Sequence, residues 1–382
     1  MNFKLLSLDK FRGCMVGGAV GDALGYPVEF MSYKQIQNVF GPEGITAYKL
    51  HNGVAQISDD TQMTMYTANG LLFAYTRMKM KGIGAPLCTY AIPAYTEWYY
   101  TQFCPNAAKL KEKLDRDSLS CWITNVPEMY ASRVPGNTCL NAIAGGCKGT
   151  VNHKINNSKG CGGVMRVAPV GLFGTVANWS AEEVMYQGAD FAALTHTHEL
   201  GYIPAAALAY IINQITANKD MDLVTIIVAT IRELNNNYGD KKHVGEMTGI
   251  LERALDFAQR DLSDIDCIRV LGEGWVGEEA LAVAVYCALR HSDSFEDAII
   301  AAVNHGGDSD STGAICGNIM GAHLGFNAIP DKYIGKLELL EQLLELADDL
   351  AILPDVYIDE FGGDDLWNDK YIRNIYPRRW IE

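Results

Sequence analysis

The sequence lacks the features that mark several common classes of protein. Its ten cysteines include no Cys-x-x-Cys pair, so the paired spacing of thiolate zinc sites is missing. Instead of the long apolar core of a secretory signal, the stretch after Met1 carries Lys4, Asp9 and Lys10. We therefore expect a cytoplasmic protein with reduced thiols.

Long apolar runs are also scarce, and basic residues are fewer than acidic ones. The longest uncharged stretch, Gly201–Asn218, contains Pro204, Asn213 and Gln214, which favours a buried helix over a membrane span. The 31 Lys and Arg residues against 46 Asp and Glu give a formal charge of −15, and so acidic a surface repels nucleic acid. We expect no membrane and no nucleic acid as partner, and we expect a monomer.

Apolar residues do recur at helical spacing, and period-two alternation is rare. The segments that this periodicity predicts as helices are Thr61–Met78, Glu182–Leu194, Ala205–Ile215, Leu223–Leu234, Glu278–Leu289, Phe295–Val303 and Ile334–Leu350. No linker is long or polar enough to divide the chain. The prediction is an all-α protein with a single domain over residues 1–382, a core at about 10–330 and a C-terminal helix and tail at 331–382.

Glycines repeat every fourth residue in two places. One stripe begins at Gly13 and ends at Gly25, and the other begins at Gly313 and ends at Gly325. A stripe of this kind lets a second backbone approach a helix closely, although each Gly costs up to about 1 kcal/mol of helix stability. One hypothesis is that the two helices cross each other in the core. The alternative is that each stripe accommodates some other bulky neighbour.

Two short acidic clusters stand out, Ser58–Thr61 (Ser-Asp-Asp-Thr) and Asp308–Thr312 (Asp-Ser-Asp-Ser-Thr). Each precedes a helical pattern, where Ser and Asp commonly serve as caps. A cap needs only one carboxylate, however, and adjacent carboxylates repel each other. Carboxylate and hydroxyl oxygens are the ligands that Mg²⁺ or Mn²⁺ prefers, and two such clusters would hold a pair of cations that polarises a leaving oxygen and positions water.

A third segment, Gly160–Arg166 (Gly-Cys-Gly-Gly-Val-Met-Arg), predicts a glycine loop. Converging N–H groups there would bind phosphate oxygens and Arg166 would add charge, although a tight turn packed on the core explains the glycines as well. His196 and His198 are two residues apart and do not share a helix face, so capping or substrate contact is expected of each, rather than metal binding.

Taken together, these motifs resemble the ADP-ribosylglycohydrolase family, which includes ADP-ribosylarginine hydrolases and dinitrogenase-reductase-activating glycohydrolases. The matching segments occur in the family's order: Phe11–Phe30, Ile57–Met63, Pro135–Cys139, Gly160–Gly171, Leu194–His196 and Asn304–Gly317. The resemblance implies a compact orthogonal helical bundle with a centre of two Mg²⁺ or Mn²⁺ ions. It also implies hydrolysis of the N- or O-glycosidic bond between ADP-ribose and a modified target, which is a protein or a small-molecule conjugate.

Carried over position by position, the resemblance also implies roles for individual residues. The implied ligands of one ion are Ser58, Asp59, Asp60 and Asp310, and those of the other are Asp308, Asp310 and Ser311. Asp59 or Asp60 would transfer the proton, and Glu29 would gate the site. The implied substrate-binding residues are Gly160, Cys161, Gly162, Gly163, Met165, Arg166 and His196.

Some positions bear on the substrate. Lys159 and Cys161 stand where family members acting on serine-linked or polymeric ADP-ribose carry an aromatic residue and Asn, and Ser311 resembles the arginine-specific branch. We therefore expect ADP-ribosyl-arginine on protein to be the substrate, with adenine stacked on an aromatic residue of the cluster Trp98–Tyr100. The alternatives are a hydrolase of a small ADP-ribose derivative or modified nucleotide, and a non-catalytic ADP-ribose-binding relative.

Overall fold

A computed structural model describes residues 3–218 and 221–376, with side chains from residue 8 onward. Within these ranges the chain forms 18 α-helices and no β-strand. The helices are α1 (Phe3–Gly25), α2 (Tyr33–Phe40), α3 (Asp59–Lys81), α4 (Cys88–Thr101), α5 (Ala107–Leu114), α6 (Asn137–Ala144), α7 (Ala168–Val176), α8 (Ala181–Ala193), α9 (Glu199–Ala217), α10 (Leu223–Tyr238), α11 (Val244–Ala258), α12 (Asp264–Leu271), α13 (Gly277–Arg290), α14 (Phe295–Val303), α15 (Ser309–Leu324), α16 (Asp331–Ile334), α17 (Leu340–Ile352) and α18 (Asp365–Tyr371). The all-α prediction is confirmed.

Helices α1 and α15 form the centre of the fold and pack against each other in antiparallel orientation. Their glycine stripes face each other in register, Gly13 against Gly321, Gly17 against Gly317 and Gly21 against Gly313. A side chain at any of these positions would overlap the backbone of the partner helix, so only glycine permits this separation. The hypothesis that the two stripes meet is confirmed.

This antiparallel pairing determines where the acidic clusters lie. The C-terminal end of α1 meets the N-terminal end of α15, with Gly25 packed on the carbonyl of Ser309. Glu29, just beyond α1, is thereby carried towards the carboxylates that open α15. Two helices from opposite ends of the chain thus build one side of a shared site.

The predicted helix over Ile334–Leu350 is wrong in its first turns. The chain leaves helical geometry after α16, and α17 begins only at Leu340, after Leu339 in the left-handed conformation. The intervening segment pairs instead with Ala55, whose N–H donates to Lys336 O at 2.8 Å and whose carbonyl accepts from Glu338 N at 3.0 Å. A tertiary backbone pairing therefore overrides the local helical pattern.

The apolar side chains form one continuous core. Helix α9 is long and apolar enough to span a membrane, but 89% of its apolar window is buried inside the protein. Later in the chain, α18 packs on the core, where Trp367 Nε1 donates to Thr76 Oγ1 at 3.0 Å. Lys370, also in α18, is buried between Glu345 and Asp349 of α17.

Candidate functional site

The two acidic clusters meet in space. Ser311 Oγ donates a hydrogen bond of 2.7 Å to Asp60 Oδ2, which joins the first turn of α15 to the first turn of α3. Both side chains are buried, as are those of Asp59, Asp308 and Asp310. The sequence places these two segments far apart, so their convergence is the feature that defines the site.

Both clusters also serve as helix caps. The hydroxyl of Ser58 accepts a hydrogen bond from Asp60 N at 3.1 Å, and Asp308 Oδ1 accepts from Ser311 N at 3.3 Å. One residue of each cluster is thus sufficient for capping. The carboxylates of Asp59 and Asp60 are surplus to this role, and Asp310 Oδ1 shares the Ser311 N–H with Asp308, at 3.0 Å.

Asp22 orders the start of α3 from the neighbouring helix α1. Its carboxylate accepts hydrogen bonds from the backbone N–H groups of Ser58 (3.0 Å) and Thr61 (3.1 Å) and from the Thr61 hydroxyl. Burial raises the pKa of Asp22 to about 6, while these donors favour its charged form. Sequence reasoning missed this residue, although Asp22 is the only charged residue in the run from Gly13 to Val28.

Glu29, Asp308 and Asp310 form a compact group of carboxylates in the site. One oxygen from each lies within 4.8 Å of the others, a separation that permits shared coordination of one cation. The Cys161 thiol donates a hydrogen bond to Asp308 Oδ2 at 2.8 Å. Oxygen-rich donor sets of this kind fit hard divalent cations.

The carboxylates of the site raise one another's pKa. Burial raises the pKa of Glu29 to about 8, and the charges of Asp308 and Asp59 add to this effect. The pKa of Asp59 is likewise raised to about 8, mainly by burial. For Asp60 and Asp310, burial and the neighbouring carboxylates raise the pKa well above its usual range. Buried charges of one sign require a compensating charge, which a divalent cation would supply.

These carboxylates line one end of a cavity of about 340 Å³. Its walls include the loop from Val134 to Thr138, whose Gly136 N–H points towards Asp59 Oδ2 at 3.4 Å. Met165 and His196 also line the cavity, and Met165 O lies 3.3 Å from Thr64 Oγ1, one turn along α3 from Asp60. Uncharged side chains and loop backbone therefore lie close beside the carboxylates in this cavity.

The glycine loop contributes part of this wall. Gly160, Cys161 and Gly162 line the cavity, whereas Gly163 packs behind it against Gly201. The Cys161 N–H donates to Trp275 O at 3.2 Å, so this amide is already engaged. The predicted loop is present, and its residues are divided between the cavity and the core.

The structure places Arg166 outside the cavity, where it cannot add charge to a phosphate site as the sequence predicted. Arg166 is fully buried behind the loop, where its Nη1 donates to Gly162 O (2.6 Å) and its Nη2 donates to Thr195 Oγ1 (2.6 Å) and Phe191 O (3.2 Å). Its guanidinium also lies over the ring of Tyr95, 4.7 Å from the centroid. Arg166 therefore supports the loop from behind, where the Phe191 carbonyl near the C-terminal end of α8 and the Tyr95 ring both stabilise its charge.

The two histidines differ in role. His196 is buried at the cavity wall, and burial together with the Arg166 charge lowers its pKa to about 3, which keeps the ring neutral. Its Nδ1 lies 2.8 Å from Thr195 Oγ1. His198 caps α9 by accepting from Leu200 N at 3.1 Å, as the sequence predicted.

The aromatic residues at the cavity are not those expected from the sequence. Trp98 is fully buried and donates through Nε1 to Gln62 at 3.1 Å, and neither Tyr99 nor Tyr100 lines the cavity. Phe30 and Trp275 do line it. No pattern in the sequence marks these two residues, since they come from separate loops.

Comparison with known proteins identifies the family. The sequence profile described as ADP-ribosylglycohydrolase matches residues 4–358 of the chain. The chain belongs to the ADP-ribosylglycohydrolase family. It is accordingly a hydrolase that acts on ADP-ribosylated substrates.

Similar proteins include two named hydrolases. The ADP-ribosylarginine hydrolase Tri1 of Serratia proteamaculans is 24% identical, over 90% of this chain and 79% of its own length. The ADP-ribosylhydrolase ARH3 of Mus musculus is also 24% identical, over 90% of this chain and 91% of its own. A solved structure, titled ADP-ribosylglycohydrolase-related protein complex, matches with a TM-score of 0.53 at 21% identity, covering 91% of this chain and 99% of the other. This structural match supports the fold.

Proposed function

We propose that this hydrolase cleaves the N-glycosidic bond between ADP-ribose and an arginine side chain of a modified protein, with two divalent ions, Mg²⁺ or Mn²⁺. The observation that carries the proposal is the contact between Asp60 and Ser311, which unites two buried acidic clusters at one end of a cavity. A cytosolic location belongs to the same proposal, because the ten cysteines are all free thiols.

The residues that would hold the ions are those of the two acidic clusters. Under the proposal, one ion is held by Ser58, Asp59, Asp60 and Asp310, and the other by Asp308, Asp310 and Ser311. When bound, such a pair of ions orients the distal ribose and lowers the pKa of a water molecule for attack on the glycosidic carbon. Ser58 is fully buried and does not line the cavity, and its hydroxyl already accepts a hydrogen bond from Asp60 N at 3.1 Å.

The chain's own carboxylates and loops would supply binding and proton transfer. Asp59 and Asp60 are the candidates for taking up the proton of the attacking water, since both line the cavity. Gly160, Cys161 and Gly162 would face the diphosphate, with the neutral His196 packed beside them. Glu29 lies at the acidic end, where it would control access to the scissile bond.

Arginine is favoured as the acceptor by the charge of the cavity and by the loop. Glu29 belongs to neither ligand set, so its carboxylate would remain available to a guanidinium, which is cationic both in free arginine and as the departing group. Lys159 stands where an aromatic residue would favour serine-linked or polymeric ADP-ribose. Its side chain forms an ion pair with Glu278. Tri1, named as an ADP-ribosylarginine hydrolase, is among the similar proteins.

A substrate panel tests the proposal. Purified protein is incubated with arginine-linked and serine-linked ADP-ribosyl peptides and with O-acetyl-ADP-ribose, and released ADP-ribose is quantified. We expect the arginine conjugate to give the largest kcat/KM, and chelator or Asp310→Asn to abolish turnover while the exposed control Asp117→Asn retains it. Faster turnover of another member of the panel would overturn the arginine assignment, and full activity in chelator would overturn the role of the ions.

A further inference from the structure

One carboxylate joins two of the segments that build the cavity. Glu338 Oε1 accepts a hydrogen bond of 2.8 Å from Arg133 Nη2, and its Oε2 accepts one of 3.1 Å from Ile57 N. Arg133 directly precedes the loop from Val134 to Thr138, and Ile57 directly precedes the acidic cluster Ser58–Thr61. Glu338 itself does not line the cavity, so it acts on the site only through these two neighbours.

The backbone fixes the position of Glu338. Its N–H donates to Ala55 O at 3.0 Å, as part of the pairing between Ala55 and the segment at 336–338. Leu339, the next residue, is in the left-handed conformation, so the helix that local periodicity predicts does not include Glu338. The stretch that interrupts the predicted helix is therefore also the one that carries this carboxylate to the start of α3.

The ion pair between Glu338 and Arg133 is buried. Only 10% of the Glu338 side chain and 8% of the Arg133 side chain are exposed. Burial raises the pKa of Glu338, whereas the charge of Arg133 and the N–H of Ile57 favour its ionised form. Because a buried ion that loses its partner is left uncompensated, each member of the pair holds the other in place.

The loop that follows Arg133 is strained and contacts the acidic cluster again. Val134 has a φ of 56°, in the left-handed region that β-branched residues rarely adopt, and it lines the cavity with 56% of its surface exposed. Two residues later, the Gly136 N–H points towards Asp59 Oδ2 at 3.4 Å. The loop and the acidic cluster are thus connected twice, once through Gly136 and once through Glu338.

We propose that Glu338 is a positioning residue of this hydrolase, which holds the loop from Val134 to Thr138 against the start of α3. Its bond to Ile57 N keeps Asp59 and Asp60 directed at the ions, and its ion pair keeps the loop in the cavity wall. This inference rests on the proposed function, in which both aspartates are ion ligands. Groups that hold metal ligands in place strongly affect metal affinity without touching the metal.

The test separates the two contacts of Glu338. Glu338→Ala removes both, whereas Arg133→Met removes only the contact with the loop and leaves Ile57 N with its acceptor. Glu338→Gln is the milder change, since it keeps one acceptor oxygen for two donors. The matched control is Glu345→Ala, which removes another buried carboxylate from an ion pair, the one with Lys370 at 2.6 Å.

Two affinities and one stability are measured for each protein. Calorimetry gives the Kd of Mn²⁺ and, at saturating Mn²⁺, the Kd of ADP-ribose. Urea unfolding in chelator gives the stability of the metal-free protein. Neither affinity depends on which linkage the enzyme cleaves, so the result does not depend on the arginine assignment.

Glu338→Ala is expected to weaken Mn²⁺ binding by roughly 10- to 100-fold and to weaken ADP-ribose binding as well, with a smaller loss in the same direction for Glu338→Gln. Arg133→Met should weaken ADP-ribose binding while the Kd of Mn²⁺ stays within about threefold of wild type, because the bond to Ile57 N remains. Glu345→Ala should lower the stability and leave both affinities unchanged.

Two results would overturn the inference. One is an unchanged Mn²⁺ affinity in Glu338→Ala, or in Glu338→Gln if the alanine variant does not fold. The other is an equal loss of Mn²⁺ affinity in Glu345→Ala, which would reduce the effect of Glu338 to general stability. A wild type that binds no Mn²⁺ overturns the proposed function itself, and the inference falls with it.

Discussion

Ser311 Oγ donates a 2.7 Å hydrogen bond to Asp60 Oδ2, although the two residues are 251 positions apart in the chain. The bond connects the first turns of two helices, so it reports directly on whether both acidic clusters share one site. Each cluster taken alone has the features of an ordinary helix cap. Together they form a buried carboxylate group that suits a divalent cation.

Ser311→Ala removes this connection. Because Asp60 is buried and would lose its donor, we expect the free energy of unfolding to fall by about 1–3 kcal/mol. Urea unfolding in the presence of chelator measures the hydrogen bond without any contribution from bound metal. The exposed control Ser118→Ala should change stability by less than about 0.5 kcal/mol. Equal stabilities of the two variants would contradict this account of Ser311.

Asp22→Asn weakens the support of the Ser58–Thr61 turn from α1. The asparagine retains one acceptor oxygen for a set of three donors, so Asp59 and Asp60 lose part of their positioning. We expect the affinity for Mn²⁺ to fall by roughly 10- to 100-fold. Calorimetric titration with Mn²⁺ measures the change, and Asp117→Asn provides the matched loss of one negative charge at an exposed site. If both variants lost a comparable part of their Mn²⁺ affinity, Asp22 would act only through its negative charge and not through its hydrogen bonds.

Arg166→Met tests the structural role of the buried guanidinium. The variant leaves the acceptors at Gly162 and Thr195 without their donor, and we expect destabilisation on the order of 3 kcal/mol. Arg166→Lys should recover only part of this, since one ammonium cannot reproduce the planar fork. Thermal unfolding and urea titration measure both variants. If Arg166→Met lowered substrate affinity at unchanged stability, the direct substrate contact predicted from the sequence would be restored.

Gly317→Ala tests the close packing of α1 and α15. A methyl group there would overlap the backbone of Gly17, so we expect a loss of about 1–3 kcal/mol in the free energy of unfolding. Gly249→Ala is the matched control, because that position in α11 has open space around it. The control should gain up to about 1 kcal/mol from improved helix propensity. Loss of stability at both positions would argue against a specific close approach at Gly317.

The sequence predicted the helices because they follow from local pattern, whereas the meeting of the acidic clusters was expected from the chemistry of cation ligands and from the family resemblance. Phe295–Val303 agrees with α14 at both ends. The start of α17 was predicted too early, since the pairing of Ala55 with the segment at 336–338 is a long-range contact that no helical period encodes.

The sequence does not determine which way a side chain points, and this limited how much of the site could be predicted. Arg166 follows a glycine loop, and the sequence cannot distinguish a guanidinium that enters the cavity from one that braces the loop against α8. Phe30 and Trp275 are on separate loops, and their stacking depends on how α1 and the segment before α13 come together. Asp22 is the exception, because an isolated charge within an apolar helix was visible in the sequence.

The most direct measurement of the central claim is an anomalous difference map from crystals grown with Mn²⁺. The account predicts two peaks at the acidic end of the cavity, both within coordination distance of Asp310, one also close to Asp60 and the other to Asp308. Crystals that show no peak there, or manganese bound only at other surfaces of the protein, would contradict it.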